Sequence, residues 1–130
     1  MELVASHVCM TKDVGVHGNL FGGIMLSWID EAAVAMSNQI CLTPNMVTRK
    51  MTEILFERPV KVGNTIRIYG EVDNIGNTSI TLKMIAKRVN VYTGEEDVVT
   101  SLEVVFVRID EYGQKIPIAE KVRRKYEAGE

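Results

Sequence analysis

Residues 22–41 are the one stretch of this chain with the length and composition of a long helix, and the residues around them are patterned for strands. The segment lacks proline and is rich in Ala, Met, Leu and Ile, all compatible with helix. At 100° per residue, Ile24, Met25, Leu26, Trp28, Ile29, Ala32, Ala33, Ala35, Met36 and Ile40 fill an arc wider than half the cylinder. Gly23, Ser27, Asp30, Glu31, Val34, Ser37 and Asn38 occupy the narrower remainder. A stripe that broad predicts a helix largely enclosed by sheet. Twenty residues run about 30 Å, and Pro44 marks a stop just beyond their end.

Strand patterns flank the helix. Residues 3–10 form a short candidate, followed by a loop of turn formers, Asp13, Gly15, Gly18 and Asn19. Residues 47–56 read as one strand, broken from the next by Pro59 and Gly63. Residues 65–73 alternate Ile66, Ile68 and Val72 against Arg67, Tyr69 and Glu71. Residues 79–92 alternate Ile80, Leu82, Met84 and Ala86 against Thr81, Lys83 and Lys87, and residues 97–109 are apolar on both faces near their centre. Gly76-Asn77 and Thr93-Gly94-Glu95 read as hairpin turns. Long strands joined by hairpins make an antiparallel sheet, whose natural partner is the one apolar helix. The expectation is an α+β fold, a long curved antiparallel sheet wrapped around one central helix.

At 130 residues there is room for one core, so residues 1–130 read as a single domain. Residues 111–130 lose the alternation and read as a C-terminal tail or short helix. Their cations Lys121, Arg123, Arg124 and Lys125 are either a solvated end or contacts for the phosphates of a nucleotide-bearing ligand.

Charge and cysteine usage exclude several classes. Fifteen basic against seventeen acidic residues give a net charge of −2, against the basic excess of a general nucleic-acid binder. Cys9 and Cys41 lie in apolar stretches without C-x-x-C pairing, so neither a disulfide framework nor a zinc ribbon is expected. His7 and His17, ten residues apart, are too few for a histidine metal site. No run long enough to span a membrane and no signal-peptide pattern is present, and a cytoplasmic protein is expected.

The chemistry concentrates between His17 and Ala32. Two glycines, Gly22 and Gly23, open an otherwise good helix and cost about 1 kcal/mol each relative to alanine. They have two readings. Either they permit close packing, or they leave the unpaired first-turn N–H groups uncovered, where the macrodipole polarises a carbonyl and stabilises an oxyanion. Asp30 lies eight residues beyond Gly22, about 12 Å along the axis. Its own helix therefore cannot easily bring it to a carbonyl held at Gly22. Two antiparallel helices side by side can, which predicts a twofold dimer with composite sites. The alternative makes Asp30 and Glu31 a solvated helical face.

The run His17-Gly18-Asn19-Leu20-Phe21-Gly22-Gly23, with Leu26 and Ile29-Asp30-Glu31-Ala32, resembles the signature of hotdog-fold acyl-CoA thioesterases, in particular their cytosolic acyl-CoA hydrolase branch. Phe56-Glu57-Arg58-Pro59-Val60-Lys61-Val62-Gly63-Asn64 is similar to that family's F-x-x-P-x-x-x-G-D stretch, and Gly76-Asn77-Thr78-Ser79 to its G-x-T/S-S turn. The resemblance spans roughly residues 3–110. It implies hydrolysis of fatty acyl-CoA to free fatty acid and CoA, with acyl-CoA as substrate, no metal and no cofactor. It also implies homodimers assembled into a tetramer or hexamer, with neither nucleic acid nor membrane as a partner. Position by position, it implies Asp30 as catalytic carboxylate, Asn19 beside the water or carbonyl from the opposite subunit, and the Gly22 N–H on the thioester oxygen.

The same resemblance implies a substrate-binding set of His17, Phe21, Gly23, Arg58, Asn77, Thr78 and Ser79. Many relatives carry arginine where this chain has Asn77, so phosphate contact falls to Arg58, Arg88 or the C-terminal cations. His17 also reads as a structural hydrogen-bonder, since the proline that follows the loop histidine of hotdog dehydratases is missing. Met25 reads as core or as lining of an acyl tunnel. Two alternatives stand beside hydrolysis: a non-catalytic acyl-CoA binding or sensing domain, and an acyl-CoA hydratase.

Overall fold

Alternating burial along three long strands builds the floor of the molecule. The computed structural model describes residues 1–128; the last two residues of the expected 1–130 domain and of its tail lie outside the described residues. Strands β4 (Thr65–Ile75), β5 (Ser79–Val89) and β6 (Glu96–Arg108) pair antiparallel in sequence order. β1 (Glu2–Val8) adds to the outer side of β4, and β2 (Met46–Met51) and β3 (Leu55–Phe56) both pair with β6. The sheet order is β1-β4-β5-β6-β2, with β3 beside β2 on the same neighbour.

One face of this sheet carries Ile66, Ile68, Ile80, Leu82, Met84, Val104 and Phe106, all fully buried. Against it lies α1 (Gly22–Cys41), whose buried face is Met25, Ile29, Ala32, Ala33, Met36 and Cys41. Each large side chain withdrawn from water here contributes roughly 1.5–3 kcal/mol. Gly70 on β4 lets helix and sheet approach: a Cβ there would come 2.7 Å from the Met36 sulfur and 2.8 Å from that of Met84. The helix ends on Leu42, held left-handed at φ 57° with its N–H on the Asn38 carbonyl, two residues before Pro44. A second helix, α2 (Glu120–Ala128), docks through Val122, beside the buried Ile118.

The α+β architecture and the helix bounds agree with the sequence reading, and four local expectations are corrected. The helix is not enclosed within the chain, because Gly23, Ser27, Glu31, Ala35 and Gln39 form an exposed i, i+4 stripe on its far side. Ala35 therefore leaves the apolar arc, while Ser37 is buried, its hydroxyl satisfied by the Val34 carbonyl at 3.0 Å. Residues 47–56 are two strands, not one. A register shift between Thr48 and Lys50 twists β2, and the ladder then ends at Thr52, whose N–H still meets the Glu103 carbonyl but whose hydroxyl, not its carbonyl, accepts the Glu103 N–H. Residues 79–92 stop pairing at Val89, because the Asn90 side chain accepts the N–H groups of Tyr92 and Thr93 and starts the turn early.

Candidate active site

The loop before α1 is fixed by one buried carboxylate. Asp13 accepts the Met10 N–H at 2.9 Å and the Lys12 ammonium at 3.2 Å, while its carbonyl accepts the Phe21 N–H at 2.9 Å. The Met10 N–H bond outweighs the upward pull of burial and, with Lys12, holds its carboxyl below the usual range. From this anchor the chain makes a tight excursion. Val14 bridges Leu20, Gly15 N–H meets the Asn19 carbonyl at 2.9 Å, and Gly18 turns at φ +75°. Leu20 N–H then meets the Val60 carbonyl at 2.7 Å, which joins this loop to the Pro59 segment.

The helix that follows starts at Gly22. Ile24 and Met25 both donate to the Phe21 carbonyl, whereas the Gly22 and Gly23 N–H groups precede the first intrahelical acceptor. The first turn carries no acidic side chain, so the positive end of the macrodipole is not neutralised by its own helix. The close-packing reading of the glycines holds. A Cβ on Gly22 would lie 3.2 Å from the Phe56 ring and one on Gly23 3.0 Å from the Phe21 ring.

A cleft of about 370 Å³ opens at this helix start, between β6 and the Phe56–Val60 segment. Asn19, Gly22 and Arg58 line it, together with Met25, Phe56 and Thr100. The Asn19 Oδ1 is buried there without a hydrogen-bond partner among the described residues. Asp30 does not line this cleft. It lies two turns along α1, half-buried, and accepts a 2.8 Å hydrogen bond from the Thr48 hydroxyl of β2.

Other residues of the expected substrate-binding set are dispersed. His17 is exposed at the loop tip, and Phe21 is exposed with its ring over Gly23. Asn77, Thr78 and Ser79 do not line the cleft within one chain. Ser79 pairs with Val107, seven residues along β6 from Thr100, or about 23 Å at strand rise. The Asn77 and Thr78 carbonyls are instead spent on the N–H groups of Ile118 and Arg108. Of the candidate phosphate cations, Arg58 is exposed at the cleft rim, while Arg88 is held by the Pro59 carbonyl at 2.9 Å and Asp97 at 3.4 Å. Lys121 and Lys125 line a separate groove with Glu2, Met36 and Ile40. Among the described residues no cluster of three or more His, Cys, Asp or Glu is placed to hold a metal, and no helix is long and apolar enough to cross a membrane.

Sequence reasoning missed Thr48 and Thr100. Neither belongs to a motif, and each reaches its place only through strand pairing. It also missed Asp13 as the anchor of the loop, although an aspartate among turn formers was in view.

Comparison with known proteins agrees with this architecture. The acyl-CoA thioester hydrolase YciA of Salmonella typhimurium is 27% identical over 120 residues, 90% of this chain and 90% of that protein. A hexameric hotdog-fold thioesterase of Campylobacter jejuni superposes with a TM-score of 0.83 at 34% identity, covering 98% of this chain and 97% of that one. A hexameric thioesterase from Yersinia pestis gives a TM-score of 0.84 at 25% identity, over 92% and 96%. The family model of the thioesterase superfamily matches residues 17–95, from the loop that holds Asn19 through the β4–β5 hairpin. With more than half of its length matched, and with the sheet and helix that go with that match, the chain belongs to the thioesterase superfamily.

Proposed function

We propose that this protein is an acyl-CoA thioester hydrolase that releases free fatty acid and CoA at sites shared between two protomers. The observation that carries the reading is the separation within one chain. The Asn19 amide and the Gly22 N–H face one cleft, while the Asp30 carboxylate is held two turns away by Thr48. A second copy packed antiparallel along α1 brings its own Asp30 to that cleft. The exposed stripe of Gly23, Ser27, Glu31, Ala35 and Gln39 has small residues for such an approach. β2 leaves its other edge unpaired among the described residues, and a free edge is a ready partner for the same strand of a second copy. The relatives from Campylobacter jejuni and Yersinia pestis are hexameric, and we infer that the dimers of this chain assemble further in the same way.

In the reaction, the thioester carbonyl sits at the start of α1 with its oxygen on the Gly22 N–H. The partner's Asp30 carboxylate takes a proton from water as the water oxygen attacks the carbonyl carbon, and Asn19 orients that water. Negative charge gathers on the carbonyl oxygen, where a preformed N–H donor is worth about 3 kcal/mol of barrier. Collapse breaks the C–S bond and expels the thiolate, a good leaving group that needs no strong acid. Arg58 at the rim is suited to a CoA phosphate. We place the enzyme in the cytoplasm, in keeping with its two free thiols.

The test is incubation with a panel of acyl-CoAs and a chromogenic thiol reagent. Release of free CoA with turnover supports hydrolysis. Saturable binding without CoA release would make the chain a sensor, and water addition to an enoyl-CoA would make it a hydratase.

A further inference from the structure

Thr100 presents a hydroxyl that packing alone does not account for. It lies on β6 at 1% exposure, and its Oγ1 has no hydrogen-bond partner among the described residues. Its neighbours along the same face of β6 are Leu102, Val104 and Phe106. Valine has the same shape and a strong preference for strands, and would fill the position without desolvating a polar group. The local backbone is irregular at this residue: Ala86 pairs with Thr100 but Lys87 with Val98, so Val99 is an extra residue in the ladder. Bulges of this kind recur beside active sites.

Thr100 lines the cleft at the start of α1, where it is the only hydroxyl among the lining residues. Its register partner is Phe56, the ring of which lies against Gly22. Thr100, Phe56 and Gly22 thus form one continuous wall. A threonine hydroxyl offers one donor, and the Gly22 N–H is an unpaired donor in the same cleft. Resting on the thioesterase reading, we propose that Thr100 is a further catalytic residue, whose Oγ1–H donates to the thioester carbonyl oxygen from the sheet side while the Gly22 N–H donates from the helix side. No bond is made or broken at Thr100. Its hydrogen bond strengthens as negative charge builds on the oxygen, so its effect falls on kcat more than on KM.

The experiment compares wild type with Thr100→Val, Thr100→Ala and Thr100→Ser, measuring kcat, KM and Tm with the best substrate of the panel. The expected result is a kcat loss on the order of 10²-fold in the Val and Ala variants with little change in KM, and near wild-type kcat in the Ser variant. Thr100→Val keeps or raises Tm, because it removes a buried unpaired hydroxyl without creating a cavity. If Thr100→Val is poorly folded, the Ser and Ala pair decides, since those two differ only by the hydroxyl. Wild-type kcat in Val or Ala overturns the proposal, as does a Ser variant as slow as Ala. A wild type that releases no CoA from any acyl-CoA brings down the thioesterase reading, and this inference with it.

Discussion

The Thr48 hydroxyl donates a 2.8 Å hydrogen bond to the Asp30 carboxylate, joining the middle of α1 to the edge strand β2 across eighteen positions of chain. The bond occupies one carboxylate oxygen and orients the other. Asp30→Ala is expected to lower kcat by at least about 10²-fold, the usual scale for loss of a general base. Thr48→Val, which leaves the carboxylate but frees its rotamer, should lower kcat by roughly tenfold, and Thr48→Ser should restore it. The bond is exposed, so Tm should move little in either Thr48 variant. Steady-state kinetics with a melting curve on each variant checks both halves.

A composite site makes a second, sharper expectation. Asn19→Ala and Asp30→Ala should each be inactive, yet a hybrid dimer of the two should contain one intact site and one doubly damaged one. Random subunit exchange at equal amounts should recover about one quarter of wild-type activity, from half of the dimers carrying one working site of two. Mixtures that stay inactive after exchange has been demonstrated with tagged protomers would show that each site lies within a single chain.

Gly70 tests the packing between helix and sheet. Gly70→Ala puts a methyl group 2.7 Å from the Met36 sulfur and 2.8 Å from the Met84 sulfur, so two buried side chains must move. The expected destabilisation is about 1–3 kcal/mol. It should appear as a lower urea midpoint with an unchanged slope.

Asp13 sets an acid limit on the loop that carries Asn19. Its carboxyl titrates below the usual range when folded, chiefly through the Met10 N–H. A depressed folded value means that the stabilisation is present above the unfolded pKa of about 3.9 and is lost as pH falls through the folded value. Asp13→Asn removes that contribution. The stability gap between wild type and variant should be widest near neutrality, begin to shrink as pH drops below about 4 and close in stronger acid. Glu96 is depressed too, first by the Tyr69 hydroxyl, but it is common to both proteins and cancels in the difference. A gap independent of pH would contradict the assignment.

Neither cysteine should interfere with a thiol assay. Cys9 and Cys41 are at most 1% exposed, and burial raises both thiols, Cys41 to about 11. The thiolate is the reactive form, so the native protein should show almost no colour with the reagent over the time of an assay. Two thiols per chain should react once it is denatured. Rapid reaction of the folded protein would mean that the core around α1 opens.

Much of the fold was legible along the chain because its causes are local. Residues 22–41 carry the 3.6-residue period with proline only beyond their end, and they form α1 with those bounds. Ile66, Ile68, Ile80, Leu82, Met84 and Ala86 alternate in sequence and are buried in the structure, because side chains of a strand point to opposite faces in turn. Asn19 and Gly22 at the start of the helix were likewise visible as part of a motif, and both line one cleft. What the sequence did not disclose depends on partners far away in the chain. The break between β2 and β3 comes from Thr52 binding Glu103, the orientation of Asp30 from a threonine eighteen residues later, and the place of Thr100 in the cleft wall from its pairing with Phe56. The distance of Ser79 from the cleft follows from its register with Val107. Periodicity is a property of neighbouring residues and survives in any fold, whereas register, bulges and convergence exist only once separate strands have paired.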